Sequence, residues 1–262
     1  MFSSTMPRRT WKPSGKHRRL FAGPWIGEFG WELFGWHARL RWLRKHVYDK
    51  VIVHCKPGHE HLYEDFAELN AYPNSACMHE AREWDVLSSG QLPVSYAWNW
   101  HDAKVRRKGF YEQEWKKFGR NIEGLGVDVL IHARKREWNS GVNWSRANWL
   151  SFVERLDAEG VRIAQIGMRH QTYNLGVMDF RGQPLENLVN IMASSRMIVG
   201  TSSGPMHLAS LCGLKHLVLS DDTNVMRYKL HWNPFDTDCR ITGAWHSPIP
   251  QVYALTKEML NE

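Results

Sequence analysis

The chain has 262 residues, of which 43% are hydrophobic and 23% are charged, and its formal net charge is +7. These values are typical of a soluble globular protein with one large domain or two small ones. The sequence contains no apolar run near the roughly 18 residues of a membrane helix, and its first residues lack the apolar core of a signal peptide. The four cysteines are widely spaced, which indicates reduced thiols of a cytoplasmic protein and excludes a disulfide framework or a zinc site.

Most of the positive charge lies in the first half of the chain. Residues 1–126 carry 20 Lys and Arg against 14 Asp and Glu, whereas residues 127–262 carry 14 against 13. The basic residues cluster at 8–19, 39–45 and 104–108, and Trp98 and Trp100 precede the last cluster. Such a surface suits a polyanionic partner, which could be nucleic acid, a phosphorylated glycan or an anionic lipid. The alternative is a generally basic surface without a partner.

In chain order, residues 1–18 are expected to form a flexible basic arm. A strand at Leu20–Gly23 is followed by a loop and then by an amphipathic helix from about Trp31 to His46. One face of this helix carries Leu33, Trp36, Leu40 and Leu43. The first half is then expected to contain a strand at 51–54, a turn at Pro57-Gly58, a helix near 61–69, short strands and loops over 74–110, and a helix at 111–118.

Strands and helices alternate more regularly after residue 125. The predicted strands are 128–132, 161–166, 197–199 and 216–219, and the predicted helices are 146–159, 185–193 and 206–212. This alternation indicates parallel βαβ units, so each half of the chain is expected to be Rossmann-like. The expected limits are a basic arm at 1–18, an N-terminal domain at 19–124, a C-terminal domain at 125–250 and a C-terminal helix at 251–262. Neither half has GxGxxG after its first strand, so a dinucleotide cofactor is not indicated.

The segment Met197–Ala209 predicts an anion site. It reads as a strand, a turn with two glycines and the start of a helix, and backbone N–H groups at such a helix start attract anions. Gly200 and Gly204 permit the backbone conformations that the turn needs. His207 would lie in the first turn of the helix, beside the same site. The alternative is an ordinary strand–helix corner of an α/β protein.

The C-terminal half resembles that of heptosyltransferase-like glycosyltransferases (glycosyltransferase family 9). The likeness is carried by the run Asp179–Leu188, the strand Ile198–Gly200, the run Ser203–Ala209 and Trp232-Asn233-Pro234. The resemblance implies an α/β protein of GT-B architecture, in which two Rossmann-like domains with parallel sheets face a central cleft. The C-terminal domain would bind the nucleotide sugar and the N-terminal domain the acceptor. Ser202 departs from the pattern, because the family has an aspartate there, so the donor need not be ADP-heptose.

The resemblance also implies a set of residues that bind the donor. The turn would supply N–H donors to the diphosphate, the basic triplet after residue 133 would supply cations, and the glycine after the next strand would approach the base. Glu186 would hold a ribose hydroxyl or stabilise its own helix start. The candidate donor-binding residues are Arg134, Lys135, Arg136, Gly167, Met168, Glu186, Ser202, Ser203, Gly204, Pro205, Met206 and His207. The nucleotide sugar is a co-substrate, and we expect no cofactor and no metal.

An inverting transfer, which the resemblance implies, needs a base that takes the proton of the acceptor hydroxyl. Glu28 and Glu32 are the candidate catalytic residues. Glu28 occupies the position of the family's catalytic aspartate, whereas Glu32 suits a structural role in the first helical turn. The alternative for Glu28 is a carboxylate that stabilises the helix dipole.

Three functions are compatible with these features. The favoured one is a glycosyltransferase that acts on a 5-hydroxymethylpyrimidine base in DNA, because the chain is compact and the segment 96–111 combines basic and aromatic residues. The second is a transferase of heptose or hexose to the lipopolysaccharide core. The third is a non-catalytic module that binds a nucleotide sugar or nucleic acid.

Overall fold

The computed structural model describes residues 13–69, 84–88 and 112–262. The chain forms two compact units, Met1–Glu114 and Trp115–Glu262. The division precedes the glycines at 124–126, at which the sequence placed the domain limit. Part of the basic arm, both Trp98 and Trp100, and the cluster 104–108 lie outside the described residues.

The first unit contains a parallel sheet of four strands. These are β1 (Arg19–Ala22), β2 (Lys50–Val53), β3 (Glu68–Leu69) and β4 (Asp85–Leu87), in the order β3-β2-β1-β4. The connections proceed from β1 to β2 and β3 on one side, and β4 pairs with the other side of β1. The carboxyl end of β1 is therefore a point where the strand order reverses, and ligands of open α/β sheets bind at such points.

A long helical segment follows β1. It consists of α1 (Phe29–Trp31), a π-helical turn (Glu32–His37) and α2 (Ala38–His46). The predicted apolar face is confirmed, since Leu33, Trp36, Leu40 and Leu43 have no exposed surface. These side chains cover one face of the sheet.

Two predicted helices of the first half are wrong. Only a single 3-10 turn, Glu60–Leu62, forms in the segment 61–69, because the end of that segment pairs with β2 as strand β3. The described residues 112–118 form no helix. Their backbone N–H groups bond to distant carbonyls, as Glu114 does to Ala38 at 3.0 Å, and so the local hydrogen bonds of a helix are not made.

The second unit contains a parallel sheet of six strands in the order β10-β9-β8-β5-β6-β7. The strands are β5 (Val127–His132), β6 (Ile163–Gln165), β7 (Met178–Asp179), β8 (Ser195–Thr201), β9 (Lys215–Asp221) and β10 (Cys239–Gly243). The helices are α3 (Arg146–Asp157), α4 (Leu185–Ala193), α5 (Gly204–Cys212) and α6 (Ile249–Asn261). The predicted alternation of strands and helices is confirmed here. The sequence did not predict β7 and β10, which are the two edge strands.

Aromatic packing fixes the position of α3 on this sheet. The rings of Trp144 and Trp149 meet edge to face at 4.7 Å, and both are fully buried with Phe152. Ser145 caps α3 by accepting a hydrogen bond from the backbone N–H of Asn148 at 3.1 Å. In this position α3 packs against β6 and α6.

Three of the four cysteines lie among the described residues. Cys55, Cys212 and Cys239 are free and buried, while Cys77 lies outside these residues. None of the helices described is long and apolar enough to span a membrane.

Candidate active site

The predicted anion site lies where the strand order of the second sheet reverses. β5 pairs with β6 on one side and with β8 on the other, and His132 at the end of β5 is in register with Gly200 of β8. Gly200 is closely packed here, because a Cβ atom would lie 2.6 Å from the sulfur of Met206 and 3.1 Å from the carbonyl oxygen of His132. The turn Ser202-Ser203 that leads into α5 therefore lies at the edge of the sheet where α/β proteins bind ligands.

Two side chains from elsewhere in the second unit hold this turn. Arg134, which follows β5, donates from Nη1 to the carbonyl oxygen of Ser202 at 2.6 Å. The hydroxyl of Tyr228 donates to Oγ of Ser202 at 3.0 Å and accepts from the N–H of Ser203 at 3.3 Å. Burial raises the pKa of Tyr228, so it remains a protonated donor. Sequence reasoning missed Tyr228, which is a buried residue of the π-helical turn Arg227–His231.

These contacts decide which donors of the turn remain for a ligand. The N–H of Ser203 is taken by Tyr228, and Pro205 has no N–H. Among the described residues, no hydrogen bond is made by the N–H groups of Gly204 and Met206 in the first turn of α5. Two N–H groups and the positive end of the helix dipole are therefore available to an anion, fewer than the sequence suggested.

His132 packs beneath the turn as a neutral side chain. Its Nδ1 lies 3.0 Å from Oγ of Ser203, and burial together with the charge of Arg134 lowers its pKa to about 3. Gly167 lies against the same ring, because a Cβ atom there would lie 2.9 Å from Cδ2 of His132. The carbonyl oxygen of Gly167 accepts from the N–H of Gly182. In this structure, Gly167 is thus a packing position.

His207 is also neutral and buried. Its ring stacks on Tyr228 at 4.3 Å and meets the edge of Trp232 at 4.4 Å. Burial, followed by the charges of Arg227 and His216, lowers its pKa well below the ordinary value. His207 therefore stabilises the start of α5 by aromatic packing and adds no positive charge to the anion site at neutral pH.

Among the described residues, no hydrogen bond joins Lys135, Met168 or Glu186 to the turn. Lys135 is exposed, Arg136 lies against the ring of Trp138, and Met168 has an exposed side chain. Glu186 is exposed in the first turn of α4, where a carboxylate favours the helix dipole. The structure thus brings together Arg134, Ser202, Ser203 and the start of α5, with His132 and Gly167 packed beneath them.

The two predicted catalytic carboxylates lie at the start of the helical segment in the first unit. Glu28 precedes α1 and is exposed. Glu32 is only 1% exposed, and both its oxygens are occupied: the hydroxyl of Tyr63 donates to Oε1 at 2.7 Å, and Nδ1 of His59 lies 2.6 Å from Oε2. These contacts favour a positioning role for Glu32.

The described part of the basic clusters is largely paired. Arg41, at 8% exposure, donates from Nη1 to Asp65 at 2.6 Å, and Lys45 donates to Glu114 at 2.6 Å. Arg39, also 8% exposed, donates to the carbonyl oxygen of Glu112. The cluster 39–45 therefore presents less positive charge to a partner than the sequence suggested.

Comparisons with known proteins relate the chain to solved glycosyltransferases. No family model and no curated protein sequence matches it. It is 12% identical to the glycosyl transferase family 9 protein from Veillonella parvula, with a TM-score of 0.62 over 96% of this chain and 99% of that chain. It is 12% identical to the ADP-heptose lps heptosyltransferase II of E. coli, with a TM-score of 0.61 over 93% of this chain and 98% of that chain.

A third similar structure is the iron-containing dodecameric glycosyltransferase TibC from enterotoxigenic E. coli. The identity is 16% and the TM-score is 0.56 over 79% of this chain, which spans 59% of the length of that protein. The residues described here contain no group of three or more His, Cys, Asp or Glu that could hold a metal ion.

The low sequence identities mean that these likenesses establish the fold. The sequence prediction of two parallel sheets in an α/β architecture is confirmed by strand pairing in both units. The chain has the GT-B fold of the heptosyltransferases.

Proposed function

We propose that the chain is a glycosyltransferase that moves a sugar from a nucleotide-diphosphate sugar to a hydroxyl group. The observation that carries the proposal is the turn before α5, which Arg134 and Tyr228 hold in place at the strand-order reversal of a GT-B fold. The N–H groups of Gly204 and Met206 would bind the diphosphate.

The chemistry of the leaving group explains why such a turn is useful. When the bond between the sugar and the nucleotide breaks, negative charge grows on the distal phosphate, and fixed N–H donors stabilise that charge without reorganising. Arg134 keeps the turn in place by binding the carbonyl oxygen of Ser202. The transfer that we propose inverts the anomeric carbon in one displacement, and it needs no bound metal.

The acceptor that we propose is a lipopolysaccharide-type glycan. One similar structure is named as an lps heptosyltransferase, and none of those reported above is named as acting on DNA. Arg39, Arg41 and Lys45 already bond to groups of the protein itself. They therefore offer less positive charge for binding the phosphates of DNA. The DNA acceptor favoured by the sequence therefore has no support from the described residues.

The acceptor hydroxyl must lose a proton to a base of the first unit. Glu28 is the carboxylate that the resemblance places in this role, and its exposure at the start of α1 would let an acceptor reach it. Glu32, being buried, would act through the side chains that it holds.

Thermal stability in the presence of ADP-, UDP- and GDP-sugars tests donor binding. A donor at 100 times its dissociation constant stabilises the folded state by about 2.7 kcal/mol, and so the correct donor should raise the melting temperature by several degrees. Arg134→Met should lose this shift. Arg162→Met is the matched control, because that arginine is 65% exposed and pairs with Asp128.

Measuring sugar transfer to each acceptor decides between a lipopolysaccharide-type glycan and DNA. The protein is incubated with the stabilising donor and either lipopolysaccharide core oligosaccharide or hydroxymethylated DNA, and products are identified by mass spectrometry. We expect a mass increase of one sugar on the oligosaccharide only. Donor binding without transfer to either acceptor would favour a binding module, and sugar on the DNA would reverse the choice of acceptor.

A further inference from the structure

The loop that follows β1 folds over a single buried indole. The side chain of Trp25 is only 7% exposed, and its ring lies 5.6 Å from the ring of Trp36, which is fully buried. Ile26, the next residue in the loop, is 78% exposed. Neighbouring residues of this loop therefore point in different directions, one into the core of the first unit and one to its surface.

The indole nitrogen bonds to the backbone of the residue that we propose as the base. Nε1 of Trp25 donates to the carbonyl oxygen of Glu28 at 3.3 Å, and the N–H of Glu32 donates to the same oxygen at 3.2 Å. The backbone of Glu28 is extended, with φ −71° and ψ 148°, and helix α1 begins at the next residue. The two bonds therefore fix the point at which the chain changes from loop to helix, and Glu28 lies at that point.

The backbone of the loop also packs on the same indole. A Cβ atom on Gly27 would lie 2.7 Å from Cζ2 and 3.0 Å from Cε2 of Trp25. At the start of the loop, the N–H of Gly23 donates to the carbonyl oxygen of Leu87 in β4 at 2.9 Å. A Cβ atom on Gly23 would collide with the carbonyl oxygen of His54, which follows β2. Neighbouring strands thus hold the loop at its start, and Trp25 holds it near its end.

We propose that Trp25 is a positioning residue for Glu28, the proposed base; this inference rests on the proposed function. By holding the carbonyl group of Glu28 and packing on Gly27, the indole fixes the place where the carboxylate leaves the loop. A displacement of about 1 Å can lower the rate of an enzyme about 10²-fold, so a base on a loop needs such an attachment. This loop follows β1 at the strand-order reversal of the first sheet, where ligands of α/β sheets bind.

A purely structural role of Trp25 predicts different effects from a positioning role. An indole that only fills the core changes the stability of the protein and leaves the rate constants of the folded protein unchanged. A positioning residue lowers kcat of the folded protein, and it does so only while the carboxylate that it positions is present. Kinetics with and without the carboxylate of Glu28 therefore separate the two roles.

Trp25→Phe tests the hydrogen bond. Phenylalanine keeps an aromatic ring in the core but has no N–H donor, so the fold and the donor-induced thermal shift should be retained. Turnover is measured with the donor and acceptor that the unchanged protein uses, with ADP-heptose and lipopolysaccharide core oligosaccharide tried first. We expect kcat to fall about 10- to 10²-fold. The KM for the donor should not change, because the change lies in the first unit.

The same substitution in a protein without the base is the decisive measurement. Glu28→Gln keeps the size of the side chain and removes its carboxylate. In this background Trp25→Phe should change kcat by less than about twofold, because no base remains to be positioned. If Trp25 were only structural, any loss of turnover that it causes would multiply with the loss from Glu28→Gln.

Gly27→Ala tests the packing contact without removing the N–H of the indole. The new Cβ would collide with the ring of Trp25, so the loop must shift and kcat should fall. Gly35→Ala is the control for this variant. A Cβ atom on Gly35 would have no neighbour within 4 Å, and we expect kcat to be retained.

Trp144→Phe is the matched control for Trp25→Phe. Trp144 is also buried, and its Nε1 donates to the carbonyl oxygen of Ser247 at 3.0 Å, so the substitution removes the same kind of bond in the second unit. Its melting temperature should fall about as much as that of Trp25→Phe. At saturating donor its kcat should equal that of the unchanged protein.

Failure of this inference and failure of the proposed function give different results. An unchanged kcat in Trp25→Phe, or losses that multiply with those of Glu28→Gln, would overturn the role of Trp25 and leave the proposed function intact. Full turnover by Glu28→Gln would likewise remove the base that Trp25 is proposed to position. If the unchanged protein transfers sugar from none of the ADP-, UDP- and GDP-linked donors, the proposed function is refuted and the role of Trp25 with it.

Discussion

Acidification should destabilise the second unit through its buried histidines. His132, His207 and His216 are each at most 5% exposed, and burial is the largest cause that lowers the pKa of each. The pKa falls from 6.5 to about 3 for His132 and to about 4 for His216. An unfolded chain would therefore take up protons near pH 6.5, whereas the folded unit would not.

The difference between the unfolded and folded pKa values of these histidines sets how much stability is lost on acidification. The stabilisation from a neutral buried histidine is complete above the unfolded pKa and is lost as the pH falls towards the folded pKa. At pH 5, about 1.5 units below the unfolded pKa, His132 and His216 each favour unfolding by about 2 kcal/mol. Together they remove about 4 kcal/mol, a large part of the total stability of many domains, and His207 changes stability in the same direction.

Urea unfolding followed by tryptophan fluorescence at pH 7, 6 and 5 measures the loss. His216→Gln should reduce the difference in unfolding free energy between pH 7 and pH 5 by about 2 kcal/mol, because the contribution of this histidine is removed. His246→Gln is the control, since His246 is exposed and should leave the difference unchanged. An unaltered pH dependence in His216→Gln would refute the reasoning.

Three further changes should affect the second unit in different ways. Gly167→Ala should cost about 2 kcal/mol or more, because φ is +115° and the new Cβ would lie 2.5 Å from Thr172, and thermal unfolding would show it. Tyr228→Phe removes the hydrogen bond to Ser202 and should cost about 1 kcal/mol in urea, while donor titration should reveal weaker binding. Ser145→Ala removes the cap of α3 and should cost about 1 kcal/mol without changing donor affinity. Unchanged stability in all three would contradict these assignments.

The sequence predicted helices and strands most accurately where the local spacing of apolar residues matches the face that is buried in the fold. Helix α4 has the bounds that were predicted, 185–193, since its apolar residues recur at helical spacing and Ala193 is followed by a polar stretch. The buried strands β5, β8 and β9 likewise each contain a short apolar run, 129–131, 197–199 and 217–219, which is typical of parallel strands covered on both faces.

Distant contacts explain what the sequence could not predict. The residues 61–69 have a helical composition, but pairing of Glu68 with Ile52 and the bond from Tyr63 to Glu32 fix a different path. In the turn, the partner of Ser202 is Tyr228, 26 residues later in the chain, and no spacing rule joins them. The sequence indicated that Ser202 belongs to the turn before α5, but it did not indicate that Tyr228 holds this residue in place.

The π-helical turn at Glu32–His37 fixes the direction in which the side chain of Glu32 leaves the helix. Because a π turn closes hydrogen bonds from residue i to i+5, it contains one residue more than the α-helix would need there. Removing one residue of this turn, such as Gly35, would restore the regular winding of an α-helix. The preceding residues would then rotate by about 100° relative to α2, and Glu32 would no longer face His59. One inserted residue in an otherwise ordinary helix is enough to create, or to abolish, the carboxylate–imidazole pair.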